Sequence, residues 1–199
     1  MALALNDKVL SEAFGPSTGT ALRVKQALMV VLGIMALAIL AKVKIPMWPV
    51  PITMGTFAVL TIGATYGPRL GLATILGYMI IGALGFDVFA GSSAEAYGLT
   101  YMMGGTGGYL VGYVLATLAL GYAARAGWDR SMLMMAVAML IGNALIYLPG
   151  VAWLGVLYGW DQPILQWGLT PFLVGDVLKL ALAALLLPAI WKMVGDARK

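Results

Sequence analysis

The chain has 199 residues, 62% of them hydrophobic and 10% charged, with 12 Lys and Arg against 8 Asp and Glu. A soluble domain carries about 25% charged residues, so this chain lacks the polar surface to clothe a water-facing globule. Its mean hydropathy of +0.95 marks an integral membrane protein, and the absence of Cys and His removes disulfides, thiolate chemistry, the usual general base and most zinc or iron sites.

A helical span takes about 20 residues, so this length predicts an all-α membrane protein of about six spans with short connections. Residues 1–20 are mixed in character, are broken by Gly15-Pro16-Ser17-Thr18-Gly19, and carry no apolar core next to a cleavage site. They read as a cytoplasmic tail, not a signal peptide, ahead of a single transmembrane domain over 21–199. The first span runs from about Leu22 to Val43. Pro46, Pro49 and Pro51 then break the helix, and Trp48 between them suits the membrane interface. The second span, about Ile52 to Tyr66, is short for a crossing and is closed by the turn Gly67-Pro68-Arg69.

The third span, about Leu70 to Leu84, leads into a connection over 86–101 that is small, polar and glycine-containing, as suits a loop that orders over a ligand. Gly104, Gly108 and Gly112 recur at intervals of four at the start of the fourth span, about Met102 to Ala124. They form a strip where another helix backbone can approach closely. After a basic turn from Arg125 to Arg130, the fifth span covers about Ser131 to Leu148 and puts Asn143 and Tyr147 on one face. Pro149 to Leu169 reads as a loop whose Trp153, Tyr158, Trp160 and Trp167 would form an interfacial belt. The sixth span then runs to about Met193.

Charge placement orients this scheme. Lys8, Arg23, Lys25, Arg69, Arg125, Arg130, Lys192, Arg198 and Lys199 fall on the side of the tail and the short turns. The opposite loops carry Asp87, Glu95 and Asp161, with Lys42 and Lys44 as their cations. By the positive-inside rule both termini are cytoplasmic, as an even number of spans also requires, and the long loops face outward. The basic residues form no patch for nucleic acid.

Asp176 and Lys179 stand three residues apart inside the last apolar run, Pro171 to Trp191, and so share one helical face. A charge at bilayer depth costs about 3 kcal/mol on insertion scales, so such residues face a protein interior and mark a site. The plainer reading is a structural pair that neutralises itself; the functional one is a polar floor for a ligand. An intramembrane hydrolase would need a second deep acid or a Ser-Lys dyad, and neither is evident. No Walker sequence is present, which excludes an ATPase, and the spans are too apolar to line a channel. The class that remains is a non-enzymatic protein with an outward-opening binding cavity, needing no metal or cofactor.

Six stretches in order carry a resemblance: Pro49-Val-Pro-Ile-Thr53 with Thr56; Tyr66-Gly-Pro-Arg69; Val88-Phe-Ala-Gly91; Gly104-Gly-Thr-Gly-Gly-Tyr-Leu110 with Gly112; Gly142-Asn143 with Ile146-Tyr147; and Thr170-Pro-Phe-Leu-Val-Gly-Asp-Val-Leu-Lys179. Together they resemble BioY, the biotin-binding S component of energy-coupling factor (ECF) vitamin transporters. The resemblance implies a six-helix S-component-like bundle in a bacterial-type inner membrane. It also implies capture of biotin from outside and docking on a transmembrane coupling subunit with two cytoplasmic ATPases. Met54-Gly55 stands where the family pattern reads Leu-Gln, and the first span lacks a clean Ala-x-x-x-Ala, the docking pattern of many S components. A solitary biotin facilitator, or an S component for another vitamin, therefore stay open.

On this resemblance the ureido ring of biotin would lie against Asp176 and Lys179, with Asn143 and Tyr147 completing the polar shell. Ser92 and Ser93, beside Gly91, would cap the carboxylate, Tyr109 and Trp48 would supply apolar wall, and Thr53 would complete the ligand-binding set.

Overall fold

The computed structural model describes residues 8–91 and 96–196. Helix α1 (Gly19–Lys42) ends in a minimal hairpin, β1 (Lys44–Ile45) and β2 (Ile52–Thr53), paired antiparallel with Lys44 opposite Thr53. Helix α2 (Gly55–Ala83) is followed by the short α3 (Gly98–Met102), α4 (Gly107–Arg125), α5 (Met132–Tyr158), the short α6 (Ile164–Gly168) and α7 (Phe172–Asp196). Among the described residues, α1, α4, α5 and the stretch Ile164–Gly195 that holds α7 are long and apolar enough to cross a membrane.

The remaining two expected spans are the arms of α2. The chain breaks at Gly67, φ 77° and ψ 177°, just before Pro68. A left-handed φ suits glycine, and proline cannot donate to the preceding turn. The arms 55–66 and 68–83 fold back on each other so closely that a β-carbon on Gly71 would stand 3.5 Å from the Gly63 Cα. The predicted turn is therefore a helical hairpin.

Glycine sets the distances between the central helices. A β-carbon on Gly108 would lie 2.2 Å from the Pro149 carbonyl oxygen, and one on Gly112 would lie 2.6 Å from the Ile146 Cα. These two belong to the strip read from the sequence, and they bring the backbones of α4 and α5 into contact. Gly104 lies outside α4; its carbonyl accepts the Trp153 indole N–H at 2.8 Å. On the other side of α4, Gly121 meets Pro68. Leu60, Leu120, Met139, Ile146 and Leu154 fill the core between these elements. Helix α1 packs on α2 through Gly33 against Thr74, and leaves Val24, Leu28, Val31, Leu32 and Ile39 exposed outward.

Two expectations shift. The helix predicted to start at Ile52 begins at Gly55, because Ile52 and Thr53 pair with β1 and the Thr53 hydroxyl accepts the Gly55 N–H at 3.0 Å. The predicted loop from Pro149 is helical to Tyr158. Proline is tolerated inside buried membrane helices when neighbours restore the packing. Here Gly150, Leu154 and Gly155 are buried, and Gly150 lies against the Tyr109 ring.

The N-terminal stretch is tied to the end of the bundle that carries the Gly67 turn. Val9 is buried against Gly67, and Glu12 pairs with Arg125 at 2.6 Å. Beside it, Arg130 lies 4.5 Å over the Trp191 ring, and the Trp191 indole donates to Asp129. Burial pushes the Asp129 carboxyl up to about 6, against the pull of the Trp191 hydrogen bond and the Arg130 charge.

Candidate functional site

Asp176 and Lys179 sit in the first two turns of α7, next to the loop end of the bundle rather than at its middle. Both are buried, at 5% and 7% exposure. Their spacing does what a helix dictates: Lys179 Nζ lies 3.0 Å from Asp176 Oδ1. The Tyr147 hydroxyl reaches from α5 to donate to Asp176 Oδ2. Lys179 Nζ also donates to the Thr56 hydroxyl at 2.9 Å, in the first turn of α2. Three helices thus meet in one polar cluster.

Beside the cluster lies a small cavity of about 50 Å³. Lys179 and Tyr147 form its polar floor with Thr56, while Val50, Pro51 and Phe172 supply apolar wall. Tyr109 and Tyr113, one turn apart on the glycine-rich face of α4, close another side. The Tyr109 hydroxyl is held by the Gly168 carbonyl at 2.7 Å, which leaves its ring facing Tyr147 edge-on. The Tyr113 and Thr53 hydroxyls both lie beside Gly55 at the start of α2. Ala90 and Thr106 contribute from the loops.

An ammonium group carries three donors, and Asp176 and Thr56 take two of those on Lys179. The third remains for an acceptor placed in the cavity. Asp176 does not line the cavity as it stands; its carboxylate holds Lys179 and the Tyr147 hydroxyl, and keeps lone pairs for a further N–H once the chamber widens. The cluster is chemically matched to a neutral group that presents a carbonyl beside an N–H. Apolar walls make such contacts strong, because water does not compete for them.

The other sequence candidates lie at varying distance from this cluster. Thr53 lines the cavity. Gly91 sits just beyond Ala90, where its N–H is taken by the Tyr101 hydroxyl at 3.2 Å. Asn143 is one turn before Tyr147 on α5 and buried, yet it does not line the cavity and makes no side-chain hydrogen bond with a described residue. Trp48 is 65% exposed and packs edge-on against Tyr158 and Trp167, outside the cavity wall. Ser92 and Ser93 fall outside the described residues. Thr56, Tyr113 and Phe172 were not among the candidates. The first two carry a sequence signal, since each stands one turn beyond a residue that was, Thr53 and Tyr109.

The loop over 87–90, whose Ala90 lines the cavity, is fastened to the end of α1 and to β1. Lys42 pairs with Asp87 and donates to the Phe89 carbonyl at 2.7 Å, and Lys44 donates to that of Ala90. Phe89 itself is buried between Tyr78 and Tyr101.

Fold and site together define a helical membrane protein with a small, polar-floored binding chamber under its loops. The BioY family model matches residues 14–196, and the chain belongs to that family. A probable biotin transporter BioY of Pyrococcus horikoshii is 34% identical over 83% of this chain and 95% of its own length. Another, of Methanothermobacter thermautotrophicus, is 40% identical over 64% of this chain and 85% of its own. The biotin transporter BioY of Thermotoga maritima is 31% identical over 73% and 83%. A crystal structure of the S-component for biotin from an ECF-type ABC transporter matches with a TM-score of 0.72, covering 88% of this chain and 95% of that one. At 19% identity, that likeness is one of fold: an S-component-like helical bundle.

Proposed function

We propose that this chain is a biotin-binding membrane subunit that takes up the vitamin from outside the cell and delivers it to the cytoplasm. The observation that carries the reading is the floor of an apolar chamber formed by Lys179, Tyr147 and Thr56, with Asp176 directly behind it bonded to Lys179 and Tyr147. Biotin's ureido ring offers a carbonyl flanked by two N–H groups. The free Lys179 donor matches the carbonyl, and Asp176 matches an N–H. The thiophane ring and valeryl chain would lie along Val50, Pro51, Tyr109 and Phe172, with the carboxylate toward the loops.

Ligand pockets usually measure about 300 Å³ or more, and the chamber here holds about 50 Å³. Biotin entry therefore requires the loops around 46–53 and 86–106 to move apart and close again over the ligand. No Walker sequence lies on this chain to drive release. Release is assigned to an ECF coupling subunit with two ATPases, which makes this chain a transport protein and not an enzyme. Uptake of biotin by cells lacking every coupling subunit would show instead that it works alone.

The direct test is calorimetric titration of ligand-stripped protein with biotin, desthiobiotin, thiamine and riboflavin. Biotin is expected to bind at one site per chain. Asp176→Asn removes the charge that accepts the ureido N–H and keeps the shape; because it also leaves Lys179 without its counter-charge, its affinity is read beside its thermal unfolding midpoint. Truncating one side of a buried charged hydrogen bond costs about 2–5 kcal/mol, so the affinity is expected to fall at least about thirtyfold. Normal biotin affinity in Asp176→Asn would take the site away from this cluster.

A further inference from the structure

At the end of the bundle opposite the chamber lies a second recess, about 490 Å³ in volume, between the N-terminal stretch, the start of α1 and the Gly67 turn. The uptake reading makes no use of it. Its rim carries Lys8, Lys25, Arg69 and Arg125. Its one acid, Glu12, is engaged by Arg125 at 2.6 Å. Lys8, Lys25 and Arg69 have no carboxylate partner among the described residues. Below the rim the wall turns apolar, with Leu22, Met29 and Leu70. Tyr66 is held upright in that wall by its hydroxyl bond to the Met29 carbonyl at 3.1 Å.

We propose that this recess binds the phosphate of an anionic phospholipid, with the glycerol and upper acyl chain against the apolar wall. Cations over an apolar floor match an amphiphile with a negative head. The helix that forms one side exposes Val24 and Leu28 on another flank, so the recess lies next to a surface that faces bilayer lipid. Basic pockets between membrane helices recognise anionic head groups in this way. A soluble phosphate shares the head-group chemistry but leaves the apolar wall unused. The recess is separate from the chamber, and its occupancy does not depend on what the chamber binds.

The test uses delipidated full-length protein in detergent, with native mass spectrometry to count bound lipid. Phosphatidylglycerol and phosphatidylcholine with identical chains, and inorganic phosphate alone, are the three probes. One phosphatidylglycerol per chain is expected to be retained, with phosphatidylcholine lost and phosphate binding weakly. Arg69→Gln and Lys25→Gln should each weaken the phosphatidylglycerol complex roughly fivefold, while Arg69→Lys should restore most of the loss. Equal retention of both lipids overturns the proposal, as does a double Gln variant that holds phosphatidylglycerol like the parent. Inorganic phosphate binding as tightly as the lipid would reduce the recess to a simple anion site and overturn the lipid assignment. A thermal unfolding midpoint within a few degrees of the parent shows that each variant is folded, so lost binding reads on the site.

Discussion

An ammonium group buried in a membrane protein needs partners for all its protons, and Lys179 finds protein acceptors for two, on Asp176 and Thr56. Breaking a buried ion pair by removing one member costs about 3–5 kcal/mol, so Lys179→Ala would confound binding with stability. Thr56→Val is cleaner, since it keeps the volume and removes only an acceptor that orients the ammonium. A hydrogen bond to a charged group contributes about 1.5–3 kcal/mol, so biotin affinity is expected to fall about tenfold or more in calorimetry. Unchanged affinity would make Thr56 a packing residue. Asp176, Lys179 and Tyr147 are individually legible in the sequence as polar groups in apolar runs. Their meeting is not, because nothing in a linear chain says that α5 and α7 present those turns to each other. Thr56 shows the same limit: its helix begins three residues later than expected, and its partner is 123 positions away.

At the level of elements, the helices touch where side chains are missing. A β-carbon added to Gly112 would stand 2.6 Å from the Ile146 Cα, so any side chain there forces α4 and α5 apart. Overpacking a close contact costs about 1–3 kcal/mol and more when backbone must shift. Gly112→Val is therefore expected to lower the thermal unfolding midpoint in detergent by several degrees or to abolish expression. Gly195→Ala, with nothing within 4 Å of the new methyl, is expected to be neutral. Equal effects of the two changes would mean that the crossing is not close. The glycine period in α4 announces this contact in advance. The continuation of α5 past Pro149 has no such herald: a proline usually ends a helix, and only the packing of Gly150 on Tyr109 and of Leu154 in the core outweighs it.

Across the whole molecule, the two ends differ in kind. One carries the chamber and the lysine-fastened loop, the other the Gly67 turn, the N-terminal stretch and most of the basic residues. By the positive-inside rule, the charge asymmetry predicts that the second end faces the cytoplasm. The chain has no cysteine of its own, so single introduced cysteines report its orientation without background. Gln162→Cys, in the loop beside the chamber, is expected to react with a membrane-impermeant maleimide on intact cells. Ser17→Cys should react only after the membrane is opened. The reverse pattern would turn the chamber inward and remove capture from outside.

Composition and hydropathy alone determined that this chain lives in a membrane and about how many segments it divides into, because burying backbone in lipid leaves helices as the favourable solution. The motif order along the chain was likewise enough to point to BioY, the family whose model matches residues 14–196. Tertiary structure alone decided that Thr56 and Tyr147 converge on the α7 pair, that Trp48 turns away from the chamber, and that the chamber holds only about 50 Å³. Those outcomes rest on helix rotation and on loops packed across the bundle, and both are set by contacts between residues far apart in the chain.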